Sequence, residues 1–183
     1  MPLARQKLLD ALKLTLPTAF HKKTGAFLPE KLNGFELNKL ECYIWMELAN
    51  AEFGEQATFS YQRLYRKVEQ SPLFSPVERN KMLTSICYNL TVELLKVDPT
   101  DSQILEYCHK GISIELSSNQ HVYLGALYYN QARYHFAQNE IEHAKKLFQQ
   151  SHDFYTVIQN IEMAEKVYHM VQQEHGITLV RKT

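Results

Sequence analysis

Residue types that could bind a metal or drive a nucleophilic attack are plentiful in this chain, but their spacing does not bring them together. Of eight histidines, His135 and His143 flank a predicted turn and His152 lies farther along the helix that follows. No two histidines stand four apart on a helix with a carboxylate between them, as a helical zinc motif requires. A metal site is therefore not expected, and His135 falls at an inter-helix packing position where a hydrogen-bonded core histidine belongs. Cys42, Cys87 and Cys108 form no close pair and leave an odd count, a usage that fits buried thiols in a reducing cytoplasm. The sequence has no glycine-rich phosphate loop, no Gly-x-Ser-x-Gly elbow and no cysteine beside a recognisable His-Asn arrangement. Neither an enzyme nor a cofactor is expected.

The remaining chemistry is polar recognition. Asn89 and Asn130 recur in equivalent contexts, Tyr-Asn-Leu-Thr and Tyr-Asn-Gln-Ala. An extended peptide leaves backbone N–H and C=O groups unpaired, and one carboxamide can satisfy one of each. One helical turn on, Arg133 is matched by Val92, and about another turn on Phe136 is matched by Lys96. Arg133 and Lys96 could pair with a ligand carboxylate, while Tyr129 and Phe136 offer apolar contact. The candidate peptide-binding set is thus Asn89, Lys96, Tyr129, Asn130, Arg133 and Phe136. The same residues have a purely structural reading, in which the asparagines tie neighbouring hairpins together and the aromatics belong to the core.

These residues have to be positioned by helices. Tyr128 to Tyr155 reads as a helical hairpin, with Ala132 four residues after Tyr128, a turn at Gln138-Asn139, and Ala144 and Phe148 four apart on the second helix. One hairpin cannot bury its own apolar face, so copies are expected. Cys87-Tyr88-Asn89-Leu90-Thr91 stands where Tyr128-Tyr129-Asn130-Gln131-Ala132 stands, and Tyr43-Ile44-Trp45 precedes both, the anchors recurring at intervals of 44 and then 41 residues. Gly54, Asp98 and Asn139 fall at the three turns, and all are types that tolerate the left-handed conformation at a helix end.

The segment from Tyr128 to Phe148 resembles a tetratricopeptide repeat, with Tyr128, Ala132, Ala144 and Phe148 at its signature positions. Gln131, His135 and Ser151 depart from the Leu, Tyr and Ala usual there, and the period is longer than the family's 34 residues. Longer repeats with a Tyr-Asn pair early in the first helix are similar to the C-terminal sensor domains of bacterial helix-turn-helix regulators of the peptide-pheromone (Rgg and PlcR) type. The resemblance, over roughly residues 1–175, implies an all-α, right-handed superhelix of antiparallel hairpins at about 36–70, 76–117 and 120–158, capped by a helix at 160–175. It also implies a concave groove in which asparagines hold the main chain of a short peptide or protein partner. The lysine that grips C-terminal carboxylates in chaperone-binding tetratricopeptide domains is Ser85 here and Ala126 in the next repeat.

Composition agrees with one soluble helical domain spanning residues 1–183. Hydrophobic residues make up 45% and charged residues 22%. The 20 basic and 20 acidic residues cancel, which argues against direct nucleic-acid binding. No apolar run reaches membrane-spanning length and no signal peptide fits the start, so a cytoplasmic protein is expected. Ser75-Pro76-Val77-Glu78 carries an N-cap, a first-position proline and a capping-box glutamate, while Thr100 with Gln103 offers a second box. Gly111, inside a helix, signals a close crossing.

The first helix, residues 3–16, has no partner before it and reads as the second half of a repeat whose first half lies N-terminal to Met1, or as a lone helix. Thr18–Gly34 reads as the longest loop, with a short turn near Glu30, and Ile177–Thr183 as a tail. The final helix either closes the stack or pairs with a second copy. The expected function is that of a peptide-sensing or interaction domain whose DNA-binding part is not in this sequence; the alternative is a free-standing scaffold for a folded protein.

Overall fold

The computed structural model describes residues 2–181 except 25, 28–30, 32–35 and 53. Among the described residues eight α-helices follow in order: α1 (Pro2–Thr15), α2 (Lys39–Asn50), α3 (Glu55–Gln70), α4 (Pro76–Val97), α5 (Gln103–Ser117), α6 (Leu124–Ala137), α7 (Ile141–Val157) and α8 (Ile161–His175). No strand occurs among the described residues, so the fold is all-α. None of these helices is long and apolar enough to cross a membrane. Each packs on its sequence neighbour, and α4 also touches α6.

Side chains set the helix starts. Ser75 accepts the Glu78 N–H at 3.3 Å while Glu78 Oε2 accepts the Ser75 N–H at 3.3 Å, the expected capping box. A second box was not read from the sequence: Asn38 Oδ1 accepts the Glu41 N–H at 3.1 Å and Glu41 Oε2 the Asn38 N–H at 2.8 Å. It starts α2 at Lys39 rather than at about residue 36, where the first hairpin is expected to begin. The expected Thr100–Gln103 box does not form. Two aspartates take its donors, Asp98 Oδ1 accepting the Thr100 N–H at 2.9 Å and Asp101 Oδ1 the Gln103 N–H at 2.8 Å, because short carboxylates reach backbone two residues on.

Three turns share one geometry. Asn119, Asn139 and Gln159, at twenty-residue steps, hold positive φ of 52°, 62° and 58°. The residue after each donates its N–H five positions back: Gln120 to Glu115 at 3.1 Å, Glu140 to His135 at 2.9 Å and Asn160 to Tyr155 at 2.9 Å. This is the six-to-one bond of a Schellman turn. Gly54 also has positive φ, 60°, as expected. Asp98 does not, with φ −148°, because the proline that follows pushes the preceding residue to extended backbone.

The interior divides into two clusters. One runs from Leu12 through Trp45, Tyr61, Ile86 and Ile104 to Leu127. The other gathers Tyr129, Ala132, Ala144, Phe148, Tyr155, Val167 and Val171. Close crossings fall at glycines. A Cβ on Gly111 would lie 2.7 Å from Leu127 Cδ1 and 3.1 Å from Cys87 Cβ, and one on Gly125 would lie 2.7 Å from the Tyr155 ring. All three cysteines are buried and unpaired, and burial pushes the Cys42 and Cys87 thiols up to about 12.

The chain after α8 is not the loose tail expected. It reverses at left-handed Gly176 and closes the second cluster with buried Ile177 and Leu179. Val180 exchanges two hydrogen bonds with Gln149, at 2.7 and 2.9 Å, and Arg181 reaches Glu165 at 2.9 Å while lying over the Tyr168 ring. The 18–34 segment begins with a 3-10 turn at Pro17–Ala19 and a bridge between Phe20 and Phe27. Gly25, Pro29, Glu30 and Gly34 lie outside the described residues, as do Lys182 and Thr183.

Candidate functional site

A cleft of about 240 Å³ opens between α4, α6 and α8. Helix α4 supplies Tyr88 and Val92, and α6 supplies Ala126, Tyr129, Asn130 and Arg133. Met163, Lys166, Val167 and Met170 come from α8, and Tyr155 from α7. The four-residue step from Tyr88 to Val92 repeats from Tyr129 to Arg133, so equivalent positions of two hairpins face one space. The walls are mostly apolar. Arg133 and Lys166 make no ion pair or hydrogen bond among the described residues, and no carboxylate lines the cleft.

Three of the six expected residues, Tyr129, Asn130 and Arg133, come together here. Asn130 is buried and its Nδ2 donates to Thr91 Oγ1 at 2.9 Å, which ties α6 to α4, while Thr91 in turn donates to the Tyr88 carbonyl at 2.8 Å. Tyr129 packs on Phe148 with ring centroids 5.2 Å apart. Burial, with the carboxylate of Glu174 nearby, holds its phenol proton more tightly than usual, against the opposing pull of Arg133.

The other three stand elsewhere. Asn89 is half-buried and does not line the cleft; its neighbour Tyr88 does. Lys96 is exposed and paired with Glu93 at 2.5 Å. Phe136 packs on His175, with ring centroids 4.4 Å apart. The α8 lining was missed from the sequence because the apolar stripe through Ala164, Val167 and Val171 marks that helix as a packing element. Met163 and Met170, each one position before a residue of that stripe and seven apart, are the signal that could have shown a second apolar face.

Where the hairpin departs from the repeat signature, polar side chains find partners. Gln131 meets His109 at 2.9 Å, Ser151 donates to the Gly125 carbonyl at 2.7 Å, and His135 Nδ1 lies 2.6 Å from Glu140 Oε2. The His135 and His143 rings are 4.1 Å apart. No group of three or more potential ligands able to hold a metal occurs among the described residues. His175 lies between Phe136 and Phe148, and both its ring nitrogens are buried without a hydrogen bond. Burial lowers its pKa, against Glu174, which raises it, and with Arg133, which lowers it further.

Comparison with protein-family models, curated proteins and solved structures finds no match to this chain.

Proposed function

We propose that this chain is a helical-repeat recognition domain that binds a short peptide, the sensing part of a bacterial cytoplasmic regulator, and is not itself an enzyme. The supporting observation is the cleft between α4, α6 and α8. It is apolar enough to desolvate a ligand side chain, it is lined at the repeated positions Tyr88 with Tyr129 and Val92 with Arg133, and its cations Arg133 and Lys166 have no ion-pair partner among the described residues. Alternate helices facing one hollow is the arrangement that a superhelix of stacked hairpins produces. A volume of about 240 Å³ suits one or two side chains of a peptide, less than the roughly 300–1,000 Å³ that takes a whole drug-sized molecule.

Calorimetric titration of the folded chain with peptides enriched from a random display library tests this. Saturable binding that Arg133→Gln weakens while leaving the melting temperature unchanged supports it. Absence of binding by every enriched peptide removes it. A second reading, a scaffold for a folded partner, is favoured by exposed Val157, Ile158 and Ile161 at the α7–α8 turn, which together offer apolar surface of the kind that marks protein contacts. It predicts that the triple substitution to serine, rather than Arg133→Gln, abolishes partner binding.

A further inference from the structure

The cleft does not end at Tyr88. That ring stacks on Tyr123, with centroids 5.2 Å apart and planes at 25°, and the Tyr123 hydroxyl donates to Ser85 Oγ at 3.3 Å. Beyond the stacked pair lies a second hollow of about 310 Å³, lined by Tyr43 of α2, by Lys81, Met82, Thr84 and Ser85 of α4, and by Gln120, Val122 and Tyr123 ahead of α6. Tyr43 and Val122 are exposed there. The two hollows therefore follow one path along α4 and α6, with a tyrosine pair as the sill between them.

Charge decides what fits. The chain carries equal numbers of acidic and basic residues, yet the residues lining the two hollows include Lys81, Arg133 and Lys166 and no aspartate or glutamate. None of these three cations has an ion-pair partner among the described residues. Among the carboxylates on α4 and α8, Glu174 accepts from the Tyr129 hydroxyl at 3.5 Å, Glu93 pairs with Lys96 and Glu78 with Lys39, while Glu162, one turn before Lys166, is exposed and outside the lining. Cations at both ends and apolar or aromatic walls between them match a ligand with carboxylates at its ends and apolar groups in its middle.

Spacing sets the pattern. From Lys81 to Val92, the α4 position level with Arg133, is roughly 16 Å at 1.5 Å per residue, a distance that an extended peptide covers in about five residues. We infer that the ligand is an acidic peptide gripped at two points. One carboxylate lies at Arg133 and Lys166, the other about five residues away at Lys81, and the intervening apolar side chains lie over the Tyr88–Tyr123 pair. This rests on the peptide-binding reading above and specifies its ligand class.

The test is fluorescence polarisation on the whole chain with a labelled peptide carrying two glutamates about five positions apart around leucine and phenylalanine. Its controls are the same peptide with glutamine at both places and a labelled single-stranded oligothymidylate. The two-glutamate peptide is expected to bind roughly tenfold more tightly than the glutamine form, and Lys81→Gln and Arg133→Gln each to remove most of that advantage. Sensitivity to salt should fall with each substitution. All three cations are surface-accessible, and circular dichroism melts of the variants check that folding is intact. If library-enriched peptides bind but show no acidic excess, or if Lys81→Gln leaves the preference unchanged, the two-point acidic ligand is overturned while peptide binding stands. If no peptide binds, both fall. Tighter binding of the oligothymidylate than of the peptide overturns the inference in favour of a phosphate ligand.

Discussion

The connectors before α5 and those after it close helices by different means. Gly54 turns with a conformation reserved for glycine, Ser71 leaves α3 in extended backbone, and Asp98 is held extended by Pro99. From α5 onward one Schellman turn is used three times, at Asn119, Asn139 and Gln159. The cores do not differ in parallel. Glu41, Ser60, Thr84 and Glu115 are buried in the first half and Ser151 and His152 in the second, where His175 is half-buried between two phenylalanines. The halves thus differ in how their helices are joined rather than in whether they bury polar groups, and the cleft lies where they meet.

Replacing the largest buried ring of either half tests how separate they are. Trp45→Ala and Phe148→Ala should each cost about 3–5 kcal/mol. Because α6 gives Leu127 to one core and Tyr129 and Ala132 to the other, calorimetry should show a single transition in both variants. Two transitions would mean that the halves unfold independently. Leu179→Ala probes the segment after Gly176, with an expected loss of about 2–4 kcal/mol, and a loss near zero would show that this segment does not close the second core.

Smaller effects sharpen the contrast. Gly125→Ala pushes a methyl onto the Tyr155 ring and should cost about 1–3 kcal/mol. Gly111→Ala meets mainly the flexible end of Leu127, and a helix-propensity gain of about 1 kcal/mol offsets part of its strain. Urea melts should therefore rank Gly125→Ala below Gly111→Ala; the reverse order would make the first core the tighter of the two.

The smallest expected effect is on pH. His175 is favoured in its neutral form when folded, so the unfolded chain takes up its proton first. Its contribution is intact above the unfolded value of about 6.5 and is lost as pH falls through that value toward the lower folded one. Melting temperatures measured between pH 7.5 and 5 should fall less steeply for His175→Phe than for the parent chain. Equal slopes would show that the ring titrates freely.

Helix number, the Ser75 capping box, the tight crossing at Gly111 and the left-handed turn at Asn139 were all legible, because each follows from residues within a few positions of one another. Gln159 was not legible as a left-handed turn, since its side chain carries no preference for that conformation. Three of the six expected site residues share the cleft for a similar reason: Tyr129, Asn130 and Arg133 lie on one face of one helix. Asn89, Lys96 and Phe136 were placed by analogy between hairpins. They stand outside the cleft, Lys96 paired with Glu93 and Phe136 packed on His175.

The sequence by itself determined the all-helical character, most helix boundaries and the pairing of sequence neighbours, since periodicity and caps act over one or two turns. Only the tertiary structure decided that α8 forms a wall of the cleft, that Asn130 binds Thr91 across thirty-nine positions, and that Ile177 and Leu179 fold back onto the second core. Those outcomes depend on which surfaces meet after the helices have formed, and no local pattern in the chain specifies that meeting.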